Sequence, residues 1–188
     1  MRNYFDLPRP LQAVVLVEHL AVQIRAGEAT AIRDLYEQTH VRLMRFGTAF
    51  SGSESRAAEA VQEAFLDLIR KPGQYDPSRG TPLSFVYGLV RNRLRSARRA
   101  EKEVALDDFE PSEENLLPGL EQAQRVLAVQ QAIASLPEHY REVILLCEIE
   151  ECRYEEVAAA LDLPIGTVRS RLHRAKHLLR IRLEGVAR

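Results

Sequence analysis

Apolar positions recur along this chain at three- and four-residue spacing, the period that gathers side chains onto one face of an α-helix. Leu16, Leu20 and Ile24 mark a first helix, with Gly27 as its stop. Ile32, Leu35, Tyr36, Leu43 and Phe46 mark a second, from about Ala29 to Phe50, which Ser51-Gly52-Ser53 breaks. The next carries Ala57, Val61, Phe65, Leu68 and Ile69 on one stripe and ends at Lys71-Pro72-Gly73. After the punctuated loop Asp76-Pro77-Ser78-Arg79-Gly80-Thr81-Pro82, a helix from about Leu83 to Arg99 becomes more basic toward its end. No run alternates in the manner of a strand.

The period lapses between Glu101 and Gly119, where acidic residues appear with Pro111 and Pro118, a linker composition. A loop packed against one of the flanking units would read the same way. The helical pattern resumes at about Leu120 and runs to Ser135. Leu136-Pro137-Glu138 then starts a helix with Pro in its first turn, and Val143, Ile144 and Leu146 face inward. Two more helices are expected, at about Tyr154–Leu161 and Ile165–Ile181. The fold class is all-α: two small helical domains joined by an acidic linker.

Charge changes the picture through its distribution rather than its sum. The formal net charge is -1, from 26 basic and 27 acidic residues, which alone suggests no nucleic-acid partner. Yet Arg91, Arg93, Arg95, Arg98, Arg99 and Lys102 crowd one segment, and Arg169, Arg171, Arg174, Lys176, Arg180 and Arg182 another. Asp107, Asp108, Glu110, Glu113 and Glu114 lie between them. Two basic patches flank an acidic bridge.

The segment Tyr154–Val168 has the anatomy of a helix–turn–helix. Small Ala158 and Ala159 permit close helix approach, and Asp162 falls where the turn needs a left-handed residue, which Asp tolerates. Pro164 sets the start of the following helix. Arg153, ahead of Tyr154, has no short side-chain oxygen with which to cap. At about 100° per residue, Val168, Leu172, Ala175 and Leu179 share the inward face. Ser170, His173, Arg174 and His177 point away, Arg169 and Arg171 flank them, and Gly166 and Thr167 sit at the N-terminal tip. That outward face suits a DNA major groove, where Arg reaches guanine edges and exposed N–H groups attract phosphate. A solvated basic face is the alternative.

These residues resemble a known family. Leu136-Pro137-Glu138-His139-Tyr140-Arg141-Glu142-Val143, Tyr154-Glu155-Glu156-Val157-Ala158 and the string Gly166–Ala175 resemble region 4 of extracytoplasmic-function sigma factors of the sigma-70 family. Val61-Gln62-Glu63-Ala64-Phe65-Leu66 resembles region 2.2, Tyr75–Gly80 the approach to region 2.3, and Phe85–Arg93 the stretch leading into region 2.4. The two motif sets stand in the family's order and span roughly Ala29–Leu183. The implied organisation is an N-terminal helical extension over 1–28, region 2 over 29–100, the linker over 101–119 and region 4 over 120–188.

The resemblance implies a transcription initiation factor that is not itself an enzyme and carries no catalytic residue, metal or cofactor. Its implied partners are core RNA polymerase, promoter DNA and an anti-sigma factor. Glu59, Gln62, Glu63 and Leu66 would dock on the polymerase clamp helices. The spacing agrees, since Glu59, Glu63 and Leu66 fall opposite the Val61–Phe65–Leu68 stripe, although a solubilising acidic face would look similar. Asp76, Ser78, Arg79, Gly80, Phe85, Arg91, Asn92 and Arg95 would handle the opened minus-ten element, with Arg93, Arg98 and Arg99 extending the basic track. Thr167, Arg169, Ser170, Arg171, His173, Arg174 and His177 would read the minus-thirty-five duplex. The acidic linker would lie in or near the polymerase RNA channel.

Departures from the family pattern are specific. Phe85 replaces a Trp, Ala58-Glu59-Ala60 keeps one of two carboxylates, Glu151-Cys152-Arg153 replaces a G-x-S-like step, and residues 1–24 exceed the family minimum. A rival reading, a sigma-like mimic that occupies an anti-sigma protein without binding DNA, is expected to lose the basic faces kept here. His173 and His177 lack the third ligand of a metal site. Cys147 and Cys152 would point about 140° apart on a continuous helix, so pairing requires the helix to end between them; ordinary small apolar residues are the alternative. The start MRNYFDLPRP has no secretory pattern, and Leu11–Ile24 is too short and polar to span a bilayer, so a soluble cytoplasmic chain without membrane insertion is expected.

Overall fold

A computed structural model of the chain describes residues 20–104 and 120–186. Among the described residues every regular element is helical. Helix α1 covers 20–26 and buries Ala21 and Ile24 before Gly27 turns the chain. It is followed by α2 (Ala29–Ser51), α3 (Glu54–Arg70), short 3-10 turns at Pro72–Gln74 and Pro77–Arg79, and α4 (Pro82–Val104). After the linker come α5 (Leu120–Ala134), α6 (Glu138–Ile144), α7 (Tyr154–Leu161) and α8 (Ile165–Val186). The expectations for Leu11, Leu16 and most of the acidic linker lie outside the described residues.

The first unit is a bundle of α2, α3 and α4. The expected stripe of α3 is present, with Ala57, Val61, Ala64, Phe65 and Leu68 buried. Ile69 is the exception, 57% exposed, because it lies about 100° around the helix from Leu68 and passes off the inward face. Ser53 caps α3 by accepting from the Arg56 N–H at 3.3 Å. Helix α4 runs past its expected end near Arg99, since Ala100, Glu101, Lys102 and Glu103 are all sound helix formers.

In the second unit, Pro137 stands at the N-cap of α6 rather than within its first turn. Leu145–Ile149 continues α6 as a π-type segment, with the Glu150 N–H reaching back to Leu145 O at 2.9 Å. This widened turn and the positive φ of Glu151 (53°) aim Glu150 into the protein. Asp162 adopts φ 54°, ψ 53°, the left-handed turn expected of it. The capping question at α7 is answered from the other side: Glu156 accepts from the Arg153 N–H at 2.9 Å. Helix α8 extends beyond the expected Ile181 to Val186.

The two units pack directly on each other. Their buried residues form one continuous apolar core, from Ile24 and Phe46 through Val90 to Leu136, Val157 and Leu172. Helices α4 and α7 cross closely at Gly88, where a Cβ would lie 2.9 Å from the Ala160 carbonyl oxygen. Only the absence of a side chain allows that approach.

Candidate polymerase and nucleic-acid surfaces

On α3, Glu59 and Gln62 are exposed, while Glu63 and Leu66 are half-buried at the edge of the same face. Ile69 and Tyr36 add exposed apolar surface from α3 and α2. Tyr36 is held between His40, stacked with ring centroids 5.2 Å apart, and Phe65, edge-on at 5.0 Å. Carboxylates thus stand beside exposed apolar side chains on this surface.

The loop before α4 is organised by its own side chains. Asp76 accepts from the Ser78 N–H at 3.0 Å and the Ser78 hydroxyl at 2.8 Å, and these bonds hold its carboxyl below the ordinary range. Tyr75 is buried, donates to Gly80 O at 3.0 Å and packs on Phe85 at 5.3 Å; burial pushes its phenol up to about 12. Gly80 has φ 154°, a conformation side-chain-bearing residues rarely adopt. Asp76 and Ser78 therefore shape the loop, Phe85 is its half-buried floor, and Arg79 projects to pair with Asp162 at 2.8 Å. Asn92 is exposed on α4 and accepts from Arg91 at 3.3 Å.

The basic residues of α4 do not form the open track expected of them. Arg91 makes a two-point contact with Glu142, Nε to Oε2 at 2.6 Å and Nη2 to Oε1 at 3.1 Å. Arg95 pairs with Glu138 at 2.7 Å, and Arg98 reaches the same carboxylate at 3.4 Å. Arg93 turns instead to Asp67 of α3, whose hydrogen bond raises its pKa. Arg99 remains exposed. The physical reason is register: Arg91, Arg95 and Arg98 share one face of α4, and Glu138 and Glu142, four apart on α6, lie across from it.

On α8, Val168, Leu172 and Ala175 are buried and Leu179 is half-buried, as the period requires. Arg169, Ser170, His173, Arg174 and His177 are exposed and Thr167 is half-buried. Ser170 donates to Thr167 O at 3.0 Å, and His177 meets Arg180 at 3.3 Å. Arg171 departs from this face, half-buried with its guanidinium 3.7 Å from Glu142.

Two carboxylates at the junction escaped the sequence reading. Glu142 is 1% exposed and Glu150 2%. Glu150 accepts from Arg45 at 2.6 and 2.9 Å, from Arg42 at 3.3 Å and from the Tyr87 hydroxyl at 2.8 Å; the Arg42 guanidinium also reaches its backbone carbonyl. Burial, then Glu150, drives the Tyr87 phenol far up. Arg141 is buried beside them, donating to Phe50 O at 3.0 Å, to Leu136 O at 3.0 Å and to Ala134 O. The available signal was the match between two stripes, i, i+4, i+7 arginines on α4 and i, i+4 carboxylates on α6. Cys147 and Cys152 are both free, half-buried and buried, and burial pushes each thiol up to about 11. The helix does end between them, at Ile149.

No helix among the described residues is long and apolar enough to cross a membrane. The family model for sigma-70 region 2 matches residues 35–104, and that for sigma-70 region 4 matches residues 127–179. The extracytoplasmic-function (ECF) RNA polymerase sigma factor SigE of Mycolicibacterium smegmatis is 32% identical over 154 residues, 78% of this chain; the chain spans 59% of that protein's length. ECF sigma factor RpoE of Cereibacter sphaeroides is 29% identical over 85% of this chain and 90% of its own. In fold, the chain resembles RpoE from Bartonella quintana, solved in complex with the anti-sigma factor NepR, at a TM-score of 0.65 and 23% identity, covering 81% of this chain and 98% of that one. With both sigma-70 regions matched in order across a fold that is helical throughout the described residues, the chain belongs to the ECF sigma factors of the sigma-70 family.

Proposed function

We propose that this chain is a promoter-specificity subunit that joins core RNA polymerase in the cytoplasm, directs it to a promoter and assists DNA opening. The observation that carries this reading is the ordered pair of sigma regions, each presenting residues fit for its task. Glu59, Gln62, Glu63 and Leu66 on α3 form the polymerase-docking face. The Asp76–Gly80 loop, Phe85, Asn92 and the guanidinium groups of Arg79, Arg91 and Arg95 handle the opened minus-ten element, where unstacked bases need a pocket and the backbone needs cations. Thr167, Arg169, Ser170, His173, Arg174 and His177 read the upstream duplex from α8, with Arg171 beside them but directed toward Glu142. The domain limits follow the same division: 29–100 for the first task and 120–188 for the second, with 1–28 and 101–119 flanking and joining them.

The chemistry needed is binding and positioning rather than bond-making, which belongs to the polymerase. An anti-sigma protein is the expected regulator, as the structural relative solved with NepR suggests. The test is in vitro transcription: core polymerase with this chain, presented with a library of genomic fragments, should yield discrete run-off products absent without it. A chain that binds DNA but never supports initiation with core polymerase overturns the proposal.

A further inference from the structure

Arg93 stands apart from the other cations of α4. At about 100° per residue, Arg91, Arg95 and Arg98 gather on one face, while Arg93 projects from nearly the opposite one. It meets α3 there: Nε donates to Asp67 Oδ2 at 3.0 Å, and Nη2 donates to the same oxygen. Glu59, Glu63 and Asp67 follow one another at four-residue steps, a row that drifts by about 40° per step around α3. Glu59 and Glu63 belong to the proposed docking face, and Asp67 carries the row to the edge where α4 packs. Arg93 closes that row with a cation. The Asp67 hydrogen bond is the main cause of its raised pKa, and the Glu63 charge acts in the same direction.

Three features fit this guanidinium to a partner rather than to the fold alone. Its side chain is 41% exposed, against 13% for Arg91, so a surface laid over α3 reaches it directly. Pinning by Asp67 fixes its plane in advance, which leaves little rotamer freedom to be lost on binding. Among the described residues no acceptor meets Nη1, so one edge of the fork is open. From this we infer that Arg93 is a polymerase-binding residue, extending the docking face from α3 onto α4. The identity of the partner rests on the proposed function. The surface that fits offers cations opposite Glu59 and Glu63 and a carboxylate or carbonyl opposite Arg93. Such a mixed pattern sets register as well as attraction, since a uniformly basic surface would be repelled at Arg93. Arg93 is thereby withdrawn from the minus-ten strand, where its neighbours in the sequence would place it.

Arg93→Ala leaves Asp67 partly exposed, where water can solvate it, and puts a good helix former into α4. Biolayer interferometry of the full-length chain with core polymerase should show the affinity falling roughly tenfold, the scale of one interface guanidinium. Arg93→Lys keeps the charge without the planar fork and should recover part of the loss. Arg93→Gln, which keeps a donor for Asp67 but no charge, carries the same test should Arg93→Ala lose its fold. A second measurement separates polymerase from DNA. Holoenzyme formed at saturating core polymerase is titrated with a labelled mixed-sequence single-stranded DNA at several salt concentrations. Arg93→Ala should match the wild type in affinity and in salt slope, whereas a lost phosphate contact would lower the slope by about 0.7. A folded variant with wild-type affinity for core polymerase overturns the role of Arg93, as does a lowered salt slope, which would return it to the DNA strand. A wild-type chain that binds no core polymerase overturns the proposed function and this role together, whereas binding that ignores Arg93 overturns the role alone.

Discussion

Glu150 accepts a hydrogen bond from the Tyr87 hydroxyl at 2.8 Å, so a carboxylate of the second helical unit is buried against an aromatic side chain of the first. Arg42 and Arg45 complete its shell from α2. The arrangement is asymmetric. Glu150 is sealed from water, whereas the side chains of Arg42 and Arg45 are 36% and 52% exposed. Removing both arginines strands a buried charge; removing the carboxylate frees two cations that water already reaches. Arg42→Ala with Arg45→Ala should therefore destabilise the chain by about 3–5 kcal/mol. Glu150→Gln should cost about 1–2 kcal/mol, close to the loss of charge-assisted hydrogen bonds. Urea unfolding of the three proteins checks the order, and equal losses would contradict it.

Alkaline pH should find the same junction. Tyr75 and Tyr87, together with Cys147 and Cys152, all have pKa values raised in the folded chain, in each case chiefly by burial. A group with a raised folded pKa contributes stability that is complete below its unfolded pKa and is lost as pH rises through the folded one. For the thiols that window runs from about 8.5 toward 11, and for Tyr75 from about 10 toward 12. Melting temperature should hold steady from these groups up to about pH 8 and fall above it. Tyr75→Phe should flatten the part of the fall above about pH 10, at a cost near 1 kcal/mol at neutral pH for the lost bond to Gly80 O.

The cysteines give a second readout. The thiolate is the reactive form, so at pH 8 two thiols near 11 should alkylate with iodoacetamide roughly a hundredfold more slowly than a free cysteine. Denaturant should restore the ordinary rate. Fast alkylation of the native chain, followed by mass spectrometry, would show that the thiols are not shielded as the packing requires.

Much of the fold was legible because helices announce themselves through apolar spacing. The stripes on α3 and α8 placed Val61, Leu68, Val168 and Leu172 inward, where they are found. Asp162 revealed the helix–turn–helix turn because few residues tolerate φ near 54°. The polar junction was legible at most as matching stripes of charge on α4 and α6, not as pairs. An acidic residue in a helix reads as solvated unless its partner is known, and the partners of Glu142 stand 29 to 51 positions away and those of Glu150 63 to 108. The π-type widening at Leu145–Ile149, which turns Glu150 inward, has no periodic signature either. For the same reason Arg91 and Arg95 read as a free track when the folded chain has them paired.

Asp162 carries a backbone prediction of its own. Its left-handed conformation is one glycine adopts without penalty and a β-branched residue adopts poorly. Asp162→Gly should be near neutral in stability, the exposed pair with Arg79 being worth under about 1 kcal/mol. Asp162→Val should cost about 1–3 kcal/mol through strain. Thermal melts of both variants separate the backbone role from the ion pair: a similar loss in both would assign the role to the side-chain contact with Arg79.

Arg174 and Arg171 lie three residues apart on α8 but face different surroundings, and that difference should appear in DNA binding. Arg174 is exposed on the outward face, while Arg171 is half-buried toward Glu142. In the assembled polymerase holoenzyme with a cognate duplex, Arg174→Ala should cost about 1–3 kcal/mol if the guanidinium reads a base edge, and the loss should depend on the base pair it faces. If it grips phosphate instead, the loss should be uniform across sequences and the salt slope should fall by about 1. Arg171→Ala should be milder with duplex DNA, because its guanidinium is directed toward the junction. Its larger effect should come in the free chain, where removing it withdraws a cation from a carboxylate also held by Arg91. A titration of upstream-element duplex against holoenzyme at several salt concentrations distinguishes these outcomes; equal losses from both substitutions would place Arg171 on the reading face with Arg174.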